Sequence, residues 1–184
     1  MDNKVLFAKK CIAESLIGLM NEKDYQEISV TEICDRAGYS RMSYYRNFSG
    51  KDDILISYMK MLVDEFRKAS SAQVPHFTMV TYEHLVFAFR YFRNYSYFME
   101  CLLKANLSAI LQYGLNYYMD TYFLAESDDI SKRYRMYYYA GGLCNLFTIW
   151  ISNGMKESEE EMAQIVFDRF NHPSYSTRQN EREM

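Results

Sequence analysis

Chain breakers are scarce in this sequence. Its 184 residues include 2 Pro and 7 Gly, too few for many short strands joined by tight hairpins. Leu, Met and Lys are frequent and favour helix, although the 18 Tyr and 12 Phe favour strands in isolation. Cysteine pairing is also missing. Cys11, Cys34, Cys101 and Cys144 are widely spaced with no CxxC, and His76, His84 and His172 stand at no metal-ligand spacing. That argues against a zinc site and predicts reduced, buried thiols. No apolar run approaches the length of a membrane span, and the N-terminus lacks the apolar core of a secretion signal. The expectation is therefore a cytoplasmic protein with no membrane contact. Nucleophile–base pairs and phosphate-cradling glycine loops are absent too, so neither an enzyme nor a cofactor is expected.

A large excess of either charge is lacking as well. The net charge is −3. Residues 1–70 carry 11 Lys/Arg and 11 Asp/Glu, and the remainder carries 10 and 13. Any surface for nucleic acid must then be local, because phosphate contacts draw on clustered cations. What the chain does have is apolar residues, nearly half of the total, in a length that can bury a real core as one large or two small domains.

Their spacing is helical. From Lys4 to Glu22, Phe7, Cys11, Ile12, Leu16, Leu19 and Met20 form one stripe, with Lys9, Lys10 and Glu14 turned outward. Tyr25 and Ile28 are expected to fold back on its last turn. Ser29-Val30-Thr31-Glu32 is a capping box that starts a short helix burying Val30, Ile33, Cys34 and Ala37. Gly38 supplies the backbone freedom for a sharp turn. Ser40 caps the next helix, which runs to about Asn47 between Tyr39 and Phe48. Ser49 with Asp52 gives a third cap signal, before a helix with Ile54, Leu55, Tyr58, Met59, Leu62 and Phe66 inward. Two short helices across a glycine turn suggest a helix-turn-helix, although such corners also occur as plain structure.

Ser70 to Met79, with Pro75, interrupts the periodicity and predicts a loop between domains. Helices are then expected from Thr81 to Arg93, around Phe98 to Leu103, from Leu107 to Leu124, and from Ile130 to Ser152. The last of these is apolar nearly all round in its second half, so it is central to its own domain or shared with a second chain. Ser158 caps a final amphipathic helix led by Glu159, Glu160 and Glu161. The tail after Pro173 has nothing to bury and is expected to be disordered. The fold class is all-α, about nine helices.

Tyr25, Ser29-Val30, Glu32-Ile33, Ala37-Gly38, Ser40, Ser43, Tyr45, Phe48, Lys51 and Leu55 together resemble the N-terminal domain of tetracycline-repressor-type (TetR/AcrR) transcriptional regulators. Gly141-Gly142-Leu143 through Trp150, Gly154 and Ser158 is similar to the C-terminal region of the branch near dihydroxyacetone kinase regulators. Three positions depart from the pattern: Tyr39 replaces a small aliphatic, Met42 a common Gly, and Asn47 a frequent His or Tyr. The resemblance implies a three-helix DNA-binding domain over residues 4–65, a helical effector and dimerisation domain over 77–171, and a tail over 172–184. It implies a homodimer formed through helices at about 130–152 and 158–171, bound to a palindromic operator as a repressor. A small, largely apolar effector would release it.

In that frame Arg41 can be bidentate to guanine and Met42 can touch a thymine methyl. Ser43 and Tyr44 can serve bases or phosphates, and Ser40 is counted with them in the DNA-binding set. Tyr45 and Lys51 are expected to anchor phosphates, and Thr31 adds a hydroxyl at a helix start. Arg46 is as well placed to pair with Asp52 or Asp53. The effector pocket is expected among Phe89, Phe92, Phe98, Tyr113, Tyr117 and Tyr138, although aromatics at helical spacing are more often core. The alternative is a helical, dimeric protein-interaction module that binds no operator.

Overall fold

The computed structural model of the chain describes residues 3–73, 81–125 and 129–171. Among them are nine α-helices and no strand: α1 (Asn3–Glu22), α2 (Val30–Ala37), α3 (Arg41–Asn47), α4 (Lys51–Gln73), α5 (Tyr82–Arg93), α6 (Ser96–Lys104), α7 (Ala109–Met119), α8 (Ile130–Ser152) and α9 (Glu159–Asn171). A 3₁₀ turn, Tyr25–Glu27, links α1 to α2, and α7 runs on into a π-helical turn, Asp120–Leu124.

Local chemistry sets most of these boundaries. The Ser29 hydroxyl accepts the Glu32 amide at 3.2 Å while the Glu32 carboxylate accepts the Ser29 amide at 2.9 Å. Gly38 closes α2 at φ 71°, a left-handed conformation that costs a side chain about 1 kcal/mol or more. Ser40, Thr81 and Asp129 each accept an amide from the first turn of the helix they precede. Ser158 and Glu161 form a second reciprocal box before α9. The third expected cap differs in its partner. Ser49 binds Asp53, not Asp52, through both its amide and its hydroxyl. Asp52 instead accepts the Tyr25 hydroxyl, because a carboxylate one residue earlier faces back along α4 to the 3₁₀ turn.

Two expectations about extent are corrected. α4 does not stop at Ser70 but continues to Gln73, with the Ser70 hydroxyl returned to the Arg67 carbonyl and the side chain fully buried. A polar serine turned back onto its own helix does not interrupt it. Phe7 is 65% exposed, since burial along α1 begins only at Ala8. Residues 74–80, the acidic break at 126–128 and the tail at 172–184 lie outside the described residues.

One core joins the front of the chain to its middle. Ile12 and Leu16 of α1, Ile33 of α2, Tyr44 of α3, Leu55 and Leu62 of α4, and Leu102 of α6 belong to a single apolar cluster. α4 therefore belongs to both ends: its first turn packs beside the helix-turn-helix and its Phe66 lies among helices α5 and α7. A second cluster gathers Leu85 and Phe89 of α5, Trp150 of α8, and Met162 and Val166 of α9. The Arg93 guanidinium braces it, stacked 4.7 Å from the Trp150 ring and donating to the Glu157 carbonyl at 2.9 Å.

Candidate nucleic-acid interface and internal cavity

The helix-turn-helix stands on α1 and α4. Lys23 pairs with Glu32 at 2.5 Å and Arg36 with Glu22 at 2.6 Å, fastening α2 to the end of α1. The hydrogen bond from Lys23, with those from Ser29, holds the Glu32 carboxyl down at about 2. Thr31 is exposed in the first turn of α2.

On α3 one residue fixes which face is free. Tyr44 is fully buried, its ring 5.9 Å from Phe48 and edge-on to Tyr45 at 5.1 Å. At 100° per residue Met42 and Tyr45 stand well round the helix from Tyr44, 74% and 66% exposed, and Arg41 in the first turn is exposed as well. Tyr44 is thus separated from the other candidates for contact with nucleic acid. It is a packing residue, because the helix's only buried position falls on it. Ser40 also has a structural task, since its hydroxyl accepts the Ser43 amide at 3.2 Å. Ser43 is half-buried, and its carbonyl accepts the Asn47 side-chain amide at 2.7 Å. Arg46 is exposed and makes no ion pair among the described residues.

Lys51 is placed differently from the expectation of a free phosphate anchor. Its ammonium donates to the carbonyls of Tyr25 at 2.7 Å, Ile28 at 2.8 Å and Gln26 at 3.4 Å. It also lies 4.5 Å from the Tyr25 ring centroid. All three protons are engaged, which explains how a cation is tolerated where the α4 dipole opposes it. A cation not singled out from sequence, Lys9 of α1, lies 5.5 Å over Phe48 at the end of α3. Its outward position on α1 was legible, but its neighbour was not.

Farther along α4, helices α4, α5, α6, α7 and α8 line a cavity of about 100 Å³. Of the six aromatics expected there, Phe89 and Phe92 line it. The other four lie elsewhere, and that part of the expectation is corrected. Phe98 is buried edge-on against Tyr58 at 5.0 Å, toward the front of the chain. The exposed Tyr113 and the half-buried Tyr117 flank Lys60, whose ammonium is 5.4 Å from each ring. Tyr138 is 79% exposed on α8. The cavity instead recruits Met59 and Phe66 from α4 and Leu143 and Phe147 from α8, segments outside the aromatic-rich stretch. No local spacing marks them, because the cavity is made by helices meeting from distant parts of the chain.

Besides Tyr139 and Cys144 of α8, a polar pair in its lining comes from α5 and α7. His84 is buried in the first turn of α5, with Nε2 3.5 Å from the Tyr118 hydroxyl. Burial, with the nearby Arg67 charge, pushes the His84 imidazole down to about 4, so it is neutral at pH 7. Burial likewise raises the Tyr118 phenol, against an opposing effect of Arg67. Beside the cavity Asp64 of α4 accepts the hydroxyls of Tyr117 at 3.0 Å and Tyr122 at 2.8 Å, tying α7 and its π-helical turn to α4.

Several exposed apolar side chains lie on the last two helices: Ile130, Tyr134, Tyr137, Tyr138 and Ile149 of α8 and Ile165 of α9. Among the described residues no His, Cys, Asp and Glu are grouped to hold a metal, and no helix is long and apolar enough to cross a membrane.

Residues 12–58 match the family described as bacterial regulatory proteins, tetR family, and residues 81–172 match the transcriptional regulator C-terminal region. Three solved structures share the fold at 19% sequence identity each. The dihydroxyacetone kinase operon activator DhaS aligns with a TM-score of 0.58 over 90% of this chain and 95% of that one. A TetR transcriptional regulator from Streptococcus agalactiae 2603V gives 0.60 over 91% and 96%. The fatty acid degradation regulator FadR from Bacillus halodurans gives 0.56 over 91% and 96%. No curated protein matches the sequence.

Proposed function

The chain belongs to the tetR family of bacterial regulatory proteins, and we propose that it binds a palindromic operator as a homodimer and is released by a small, largely apolar effector. The observation that carries the reading is the free face of α3. Arg41, Met42 and Tyr45 are turned to solvent on a helix held by a buried Tyr44, a capping Ser40 and a left-handed Gly38. Arg41 and Met42 stand in the first turn, the part of a recognition helix that reaches base edges, where arginine reads guanine and methionine a thymine methyl. Tyr45 and Thr31 supply hydroxyls for flanking phosphates, and Lys9 adds a charge at the far end of α3.

The exposed apolar residues of α8 and α9 form the natural seat of a second subunit. Two-fold pairing there gives each dimer two reading heads, matched to half-sites about one helical turn, roughly 34 Å, apart. α4 supplies the connection to the effector. Its first turn is fixed to the head by Lys51, and its Met59 and Phe66 form cavity wall. A ligand that favours one placement of that wall favours one spacing of the heads.

Fluorescence anisotropy with labelled DNA from upstream of the encoding gene tests the reading. Binding should weaken steeply with salt and fall about tenfold or more in Arg41→Ala. Binding indifferent to sequence and to Arg41, by a dimer that is folded, would instead support an interaction module.

A further inference from the structure

We propose that the cavity takes an uncharged molecule about the size of one aromatic ring, carrying a single hydroxyl or carbonyl oxygen that sits beside both Tyr118 and His84. This rests on the cavity being the effector site and adds the chemical class of its occupant.

Size comes first. A cavity of about 100 Å³ is on the scale of the ~150 Å³ engineered cavity, in another protein, that holds benzene. It has room for one ring or a short branched chain. Flexible Met59, Met99 and Met119 in the wall allow modest adjustment.

Charge comes next. No Asp, Glu, Lys or Arg is among the residues that line the cavity. Phe66, Phe89, Phe92 and Phe147 and the neighbouring Leu and Met side chains present carbon. An ionised ligand would leave water for a wall that sets no opposite charge against it. Arg67, which acts on both His84 and Tyr118, further opposes a cation at this end.

The polar pair then sets the one oxygen. Tyr118 OH and His84 Nε2 are 3.5 Å apart, longer than a good hydrogen bond between such groups. A ligand oxygen beside both can accept from one and, if a hydroxyl, donate to the other. Because the imidazole is neutral at pH 7, it can serve as donor or acceptor according to its tautomer.

Titration calorimetry of the full chain with four probes of one shape tests this: toluene, 4-methylphenol, 4-methylbenzoate and benzyltrimethylammonium. The phenol should bind about tenfold more tightly than toluene, the gain of one buried hydrogen bond, and both ions more weakly than toluene. Tyr118→Phe should shrink the tenfold gap to about twofold while leaving toluene binding in place; His84→Gln serves as a second variant should the first not fold. Equal affinity for toluene and the phenol, or tighter binding of either ion, overturns the assignment while leaving an effector cavity standing. If none of the four binds, toluene included, the cavity is not a ligand site and the effector reading falls with it.

Discussion

Lys51 holds its ammonium 4.5 Å above the Tyr25 ring centroid and 2.7 Å from the same residue's carbonyl oxygen. The tyrosine hydroxyl in turn reaches Asp52, one residue further along, so two successive side chains of α4 grip one residue of the 3₁₀ turn. Removing the ammonium takes the lysine donor from the Tyr25 and Ile28 carbonyls in a partly buried setting, leaving the Tyr25 carbonyl only the Ile28 amide at 3.3 Å. Lys51→Ala should therefore cost about 2 kcal/mol of unfolding free energy in urea, with no DNA present. Loss of DNA affinity with stability unchanged would show that the grip is not structural and that Lys51 acts on phosphate alone.

Gly114 of α7 faces Met59 of α4 so closely that an added Cβ would lie 2.6 Å from Cγ and 2.8 Å from Sδ. Alanine is the better helix former by about 1 kcal/mol, whereas overpacking costs about 1–3 kcal/mol. Gly114→Ala should accordingly be neutral to destabilising in the native sequence. In a Met59→Ala background, where the space is open, the same change should stabilise. Urea denaturation of the four proteins reads the sign change, and a stabilising Gly114→Ala in both backgrounds would contradict the close approach.

His84 predicts a pH dependence in a defined window. Its folded value is about 4 against 6.5 for the free side chain, through burial first and Arg67 second. The unfolded chain thus binds the proton that the folded chain refuses, and stability should fall as pH drops from about 6.5 toward 4, by on the order of 3 kcal/mol. His84→Gln should flatten that window. The Glu32 carboxyl, held at about 2, contributes stability that is lost below about 4.5, at the acid edge of the histidine window. An equally steep loss between pH 6.5 and 5 in the variant would assign the effect to other groups.

The head was largely legible in the sequence and the cavity largely was not, for a physical reason. Caps, glycine turns and helical stripes act over three or four residues, so Ser29, Gly38, Ser40 and Ser158 could be read one by one. The shift from Asp52 to Asp53 as the partner of Ser49 is the sort of error that leaves a helix start intact. Tyr44 was less visible, because a short helix of Arg, Met, Ser and Tyr offers no apolar stripe to show which tyrosine turns inward. The cavity depends on where α4 and α8 cross α5 and α7. Aromatic density therefore pointed to Tyr113 and Tyr138, which face outward, and passed over Met59, Phe66 and Phe147, which line it. The π-helical turn at Asp120–Leu124 carries no sequence signal of its own. It continues an α-helical pattern and is set by packing such as the Tyr122–Asp64 contact.

Tyr138 tests the proposed dimer. It is 79% exposed midway along α8, in line with Tyr134, where a partner would bury both. Tyr138→Glu should raise the dimer dissociation constant by about a hundredfold, as sedimentation equilibrium reads it, without lowering helix content. An unchanged dimer would move the interface off this face.

The central claim is that the outward face of α3 reads DNA. Selection of bound sequences from a random duplex pool, repeated with Arg41→Ala, tests it most directly. The wild-type chain should enrich a two-fold symmetric site with half-sites about one turn apart, and the variant should lose the preference at one position, a guanine, in each half. Enrichment of no common sequence by a folded, dimeric protein would contradict the account.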